Sequence, residues 1–128
     1  MSPRIVAVVP AFEEEAAIGA VVSEIHDFDP GIDVVVVDDG SRDETTEAAV
    51  AAGAVVVRLP FNLGIGAAVQ TGFRYALEQD YDVAVRLDGD GQHDATELPK
   101  LLAPLERGEA DVVTGSRFRD ENGGYRPP

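Results

Sequence analysis

A chain of 128 residues has room for one domain, and its composition of 45% apolar and 27% charged residues, with 13 glycines, excludes a disordered protein and suits one sizeable core. The absence of cysteine excludes disulfides, thiolate catalysis and zinc held through sulfur. A formal charge of −14, from 24 acids against 10 basic residues, opposes nucleic acid and anionic lipid, so a polyanionic ligand would need a divalent cation between it and the protein carboxylates.

The first predicted strand covers residues 5–9 and runs into PAFEEE. A helix over 13–28 follows, with Ile18, Val21, Val22 and Ile25 at helical spacing. The second strand, 33–37, ends in DDGSRD, and a helix over 41–52 is expected to open on a Ser41/Glu44 capping box and close on Gly53. Strand three, 54–59, leads through PFNLGIG into a helix over 64–79. Strand four, 82–87, leads through DGDGQHD into a helix over 95–107, and strand five, 111–114, ends in GSRFR.

These runs are valine-rich and nearly continuous, as strands buried on both faces of a parallel sheet are. Their alternation with helices predicts an α/β, doubly wound, mainly parallel sheet with right-handed crossovers. No apolar run is long enough to span a bilayer, and no signal peptide precedes the first strand. A reducing cytosol fits the cysteine-free chain. From Arg117 the sequence RFRDENGGYRPP loses all periodicity and reads as a polar loop in front of further sequence, since the last strand has no helix to cover it.

In doubly wound sheets, ligands bind beyond the carboxyl ends of the strands, near the point where strand order reverses. All five unusual loops sit at those ends, whereas DPGID and EQDYD at the opposite ends read as plain turns. Within RLDGDGQHD, a calcium loop starting at Asp88 would need glycine sixth and glutamate twelfth, where the chain has His93 and Pro99. A haloacid-dehalogenase-type phosphatase loop belongs on the first strand with threonine or valine two residues after the second aspartate; here it follows the fourth strand and Gln92 takes that place. A metal loop survives both tests. Asp88 and Asp90, two apart in an extended segment, project to one side, Gln92 continues the series, and hard oxygen donors suit Mg2+ or Mn2+. The alternative for this loop is an acidic turn with solvated aspartates.

Other positions have two readings each. Gly64 and Gly66 let backbone amides approach a phosphate or ribose, or simply start a helix. Asp38 and Asp39 read a base or sugar, or cap the next helix with Ser41 and Asp43. Phe12 stacks a base or belongs to the core. Arg117 neutralises a diphosphate or solvates a loop. His93 braces the loop or binds metal, and His26 has no assigned role.

Taken in order, VVPAFEEEAAI, VVVDDGSRDET, NLGIGAAVQTGFRYA, RLDGDGQHD and DVVTGSRF resemble the loops of the family 2 glycosyltransferases of the GT-A fold. Within them, the DxDxQH pattern is similar to the dolichyl-phosphate mannosyltransferase-like, or polyprenyl-phosphate sugar transferase, branch. The resemblance runs over essentially the whole chain. It implies that Pro10, Ala11, Phe12 and Glu14 hold the base and ribose and that Asp39 hydrogen-bonds the base. It also implies that Asp88, Asp90 and Gln92 coordinate Mg2+ or Mn2+ bridging the diphosphate, with Arg117 on phosphate. The implied activity is inverting transfer from a GDP- or UDP-linked sugar to a polyprenyl phosphate. Residues 1–116 would be the donor-binding portion, and 117–128 a loop leading to an acceptor-binding half where any catalytic base would lie. Association with the cytoplasmic face of a membrane would come only through those further regions.

Two positions depart from the family pattern: Glu13 stands where asparagine is usual, and Ala95 where proline is. Three other functions compete with this reading. A magnesium-dependent phospho-receiver should present a lysine after its last strand, but the only lysine, Lys100, precedes it. A sugar nucleotidyltransferase would need a glycine- and arginine-rich first loop, which PAFEEEAAI is not. A non-catalytic nucleotide-binding remnant is the third alternative.

Overall fold

The computed structural model describes residues 4–87, residue 89 and, for the backbone alone, residues 112–114. In chain order these form β1 (Ile5–Ala11), α1 (Ile18–Phe28), β2 (Asp33–Asp38), α2 (Thr45–Ala51), β3 (Val55–Arg58), α3 (Ile65–Glu78), β4 (Val83–Arg86) and β5 (Val112–Thr114). The strands make a five-stranded sheet in the order β3-β2-β1-β4-β5, every pair parallel. From β1 the chain winds outward to β3, then returns past β1 to start β4 on its other side. Strand order therefore reverses between β1 and β4, where a doubly wound sheet opens its ligand crevice. A phospho-receiver places β1 between β2 and β3, so this order excludes that architecture.

Successive side chains of a strand point to opposite faces. Ala7, Val9 and Ala11 of β1, with Val34, Val36, Val83 and Val85, pack against Ile18, Val21, Val22 and Ile25 of α1 and Ala49 of α2. The alternate residues, Val6, Val8, Val35 and Ala84, pack under Phe73 and Ala76 of α3. Both faces are thus covered, which is why the strands read as unbroken apolar runs. Each fully buried valine contributes ~1.5–3 kcal/mol, so a polar residue at any of these positions would be strongly disfavoured. Gly72 sets the height of α3 above the sheet, because a Cβ there would lie 2.2 Å from Val8 Cγ1 and 3.2 Å from Val37 Cγ2.

Two helices begin later than the sequence predicts. The expected helix over 13–28 starts at Ile18, because Glu13 has φ +54° and the amides of residues 13–15 are hydrogen-bonded to the neighbouring loop instead. The expected helix over 41–52 starts at Thr45, and the Ser41/Glu44 capping box does not form. Ser41 Oγ accepts from the Glu13 amide instead, at 2.7 Å. Asp43 supplies the start signal, accepting from the Thr45 amide at 3.0 Å and from the Thr45 hydroxyl. Gly53, at φ +102°, follows the end of α2 as expected. The helix expected over 95–107 and the loop over 117–128 lie outside the described residues.

The amino ends of the strands are closed by local contacts. The Arg4 guanidinium lies 4.4 Å from the centre of the Tyr81 ring and donates to the Gln79 carbonyl at 2.7 Å, while Tyr81 donates its hydroxyl to Asp33. Burial, then the Asp33 carboxylate, pushes the pKa of the Tyr81 hydroxyl up to about 12. Among the described residues no helix is long and apolar enough to cross a membrane.

Candidate functional site

A cavity of about 550 Å³ opens at the carboxyl edge of the sheet, across the ends of β1 to β4. That volume lies within the range of small-molecule sites, and the position is the switch point of the fold. Pro10, Ala11, Phe12, Glu14 and Asp39, all singled out from sequence, line it together. Asn62, Gly64, Ile65, Ala68, Arg86 and Gly89 complete the lining. Phe12 is 39% exposed, so it belongs to the cavity wall and not to the core.

The β1–α1 loop is held by three consecutive amides. Glu13 N donates to Ser41 Oγ at 2.7 Å, Glu14 N to Thr45 Oγ1 at 2.9 Å and Glu15 N to Asp43 Oδ2 at 3.4 Å. A return bond runs from Glu44 N to Glu15 Oε1 at 2.9 Å. The Thr45 hydroxyl, with the loop amides, holds the Asp43 carboxyl below the usual carboxylate range. Ser41 of the second loop and Thr45 at the start of α2 therefore hold the backbone of the first loop directly after Phe12.

The two aspartates of DDGS separate into different roles. Asp38 is fully buried and accepts from the Ser41 amide at 2.9 Å, from the Thr46 hydroxyl and from Arg58 Nη1 at 3.0 Å. It braces the end of β2 and does not line the cavity. Asp39 does, with only 3% of its surface exposed. Its carboxylate accepts from Asn62 Nδ2 at 3.0 Å, Leu63 N at 2.8 Å and Gly64 N at 2.9 Å. A carboxylate has about four acceptor sites, so roughly one is left for a ligand.

Asp39 thereby latches the loop between β3 and α3 onto the end of β2. Gly40 makes this crossing possible: at φ +78°, a Cβ on it would lie 2.4 Å from the Phe61 carbonyl carbon. Gly64, at φ +104°, is the residue before α3 and lines the cavity, whereas Gly66 is not among the lining residues. The cavity thus reaches the amino end of α3, where backbone amides are free of helical partners.

Sequence reasoning passes over Asn62, Ile65, Ala68 and Arg86. For Arg86 a signal is available. Val85 and Leu87 belong to the core beneath α1, and strand alternation puts Arg86 on the other face at the cavity.

Asp88, Asp90, Gln92 and Arg117 lie outside the described residues, as do His93 and Ala95. Gly89, the residue between the two aspartates, does line the cavity. A Cβ on Gly89 would lie 2.9 Å from the Pro10 carbonyl oxygen and 3.3 Å from Ala11 Cβ. Only glycine lets the backbone at position 89 lie this close to the end of β1. Among the described residues no group of three or more His, Cys, Asp or Glu could hold a metal ion. The donor set proposed from sequence, two carboxylates and an amide oxygen flanking a cavity-lining glycine, fits a hard divalent cation in its chemistry.

The sequence profile of Glycosyl transferase family 2 matches residues 6–128. Undecaprenyl-phosphate mannosyltransferase of Micrococcus luteus is 37% identical over 119 residues, covering 89% of this chain and 48% of that protein. Polyprenol monophosphomannose synthase of Mycolicibacterium smegmatis is 33% identical over 121 residues, covering 90% of this chain and 45% of that one. Among solved structures, glucosyl-3-phosphoglycerate synthase of Mycobacterium tuberculosis, in complex with Mn2+, UDP-glucose and phosphoglyceric acid, matches with a TM-score of 0.69. The match is at 32% identity and covers 84% of this chain and 41% of that one. The chain spans about half the length of the curated relatives it matches.

Proposed function

The chain belongs to glycosyl transferase family 2, and on that premise we propose that its carboxyl-edge cavity binds a UDP- or GDP-linked sugar together with a divalent cation. We further propose that the whole protein transfers that sugar, with inversion, to a polyprenyl phosphate at the cytoplasmic face of a membrane. The observation that carries the reading is the meeting of Pro10, Ala11, Phe12, Glu14 and Asp39 with Gly89 of the acidic loop in one cavity. The relatives named for undecaprenyl-phosphate and polyprenol acceptors, and the neighbour that holds Mn2+ with UDP-glucose, support the same chemistry.

In this reading Phe12 and the Pro10–Ala11 backbone receive the base and ribose. Asp39 offers its remaining acceptor position to a base N–H, and Glu14 lies beside the ribose. Asp88, Asp90 and Gln92 hold Mg2+ or Mn2+, which when bound offsets the charge developing on the departing diphosphate. Arg117 adds a contact to phosphate. An oxygen of the acceptor phosphate attacks the anomeric carbon as the bond to the diphosphate breaks. That oxygen is already anionic near neutral pH, so this transfer needs no general base from the chain.

Calorimetric titration with UDP- and GDP-linked sugars, with and without Mn2+, tests the reading. Binding of one nucleotide sugar that requires the cation and is lost in Asp90→Ala is the expected result. Equal heats with and without Mn2+, or no binding of either donor, would refute it.

A further inference from the structure

Strand order lays the cavity out as a row. From one end of its lining to the other come Asn62 and Gly64 after β3, Asp39 after β2, Pro10 to Phe12 at β1, then Arg86 and Gly89 at β4. Three inter-strand steps of ~4.8 Å make this row roughly 14 Å long, comparable with an extended nucleoside diphosphate. Its two ends differ in chemistry. The β2–β3 end presents a carboxylate latched by amides, suited to the N–H groups of a base. The β4 end is lined by Arg86, which carries a guanidinium.

Among the described side chains lining the cavity, Arg86 is the one cation, and the charged residues Glu14 and Asp39 are both anionic. Arg86 is paired in the sheet with Val8, two residues before Pro10, so its backbone lies ~7 Å below the cavity floor. A side chain of arginine length is needed to bring positive charge up from there. It lines the same end of the cavity as Gly89, the residue between the two aspartates proposed as metal ligands.

We propose that Arg86 binds the diphosphate of the nucleotide sugar directly, as a phosphate ligand in addition to the metal loop and Arg117. The assignment rests on the nucleotide-sugar reading of this cavity. In a chain of net charge −14, the diphosphate is the donor group most in need of fixed positive charge. A guanidinium can meet two phosphate oxygens at once and stays charged at every accessible pH, which a lysine ammonium cannot match in geometry. Donors with a charged diphosphate are thereby selected over the nucleoside.

The test uses the full chain with Mn2+ in three forms: wild type, Arg86→Met and Arg86→Lys. Each is titrated with UDP and GDP by calorimetry, and with uridine and guanosine by NMR shifts with Mg2+ in place of the paramagnetic Mn2+. Arg86→Met is expected to weaken the bound nucleoside diphosphate ~10-fold or more and to leave its nucleoside unchanged, with Arg86→Lys falling between. A parallel loss for the nucleoside would show that Arg86 only supports the cavity wall and would overturn the proposal. So would weakened Mn2+ binding by Arg86→Met in the absence of nucleotide, which would mean the guanidinium serves the acidic loop. If the wild type binds neither UDP nor GDP, the nucleotide-sugar reading itself falls. If it binds and Arg86→Met binds equally, only the Arg86 assignment falls.

Discussion

At the residue scale, Glu13 explains a departure that sequence alone could only register. Its φ of +54° is left-handed, a region that costs an ordinary L-residue ~1–2 kcal/mol and that asparagine tolerates better. Glutamate is therefore strained at this position, and asparagine would be less so. Glu13→Asn should raise stability by ~0.5–1 kcal/mol and the melting temperature by about 2–5 °C. The ion pair between Glu13 and Arg42, which this substitution removes, is exposed and 3.9 Å long, so it weighs little against that gain. An unchanged or lower melting temperature would mean the loop's hydrogen bonds, and not its φ, set the cost. Asp38 and Asp39 teach a related lesson. Adjacent and chemically identical, they point to opposite sides of β2's end, one into the Arg58 network and one to the cavity. Their division of labour is not readable from the DDGS string, because it depends on which loop crosses Gly40.

At the element scale, the five strands and the helices between them are legible because burial on both faces forces valine into nearly every strand position. Helix starts are less so. Ser41/Glu44 has the spacing of a capping box, but tertiary demand from the β1–α1 loop takes the serine, and Asp43 supplies the local signal two residues before Thr45. Gly72 also escapes notice, since a glycine inside a helical pattern looks like a weakness. In isolation Gly72→Ala should favour α3 by ~1 kcal/mol. Contact with Val8 reverses the sign, because a Cβ 2.2 Å from Cγ1 forces the helix off the sheet at ~1–3 kcal/mol. Urea unfolding should show Gly72→Ala net destabilised, and Gly72→Ala with Val8→Ala less destabilised than the two single changes added together. Simple additivity would mean that α3 shifts freely and that Gly72 does not set its height.

At the scale of the whole molecule, the parallel sheet in the order β3-β2-β1-β4-β5 brings the motifs after β1, β2 and β3, with Gly89 of the fourth, to one edge. The carboxyl ends gather the loops rich in aspartate, glycine and proline, while Arg4, Tyr81 and Asp33 seal part of the opposite edge. The working edge is readable from sequence because ligand loops follow strands in this class of fold. The contribution of Asn62 is not, since it follows from the lateral order of strands, and alternation along β4 gives the face of Arg86 but not the neighbours it meets there. In the proposed function everything depends on the carboxyl edge receiving a nucleoside diphosphate. A proton–nitrogen NMR titration of the chain with UDP and GDP in the presence of Mg2+ reads this edge amide by amide. One of the two nucleotides is expected to shift the amides of Phe12, Glu14, Asp39, Gly64 and Gly89 while Gly53 and Asp80 at the opposite edge stay fixed. Shifts confined to that opposite edge, or none with either nucleotide, would contradict the proposed function.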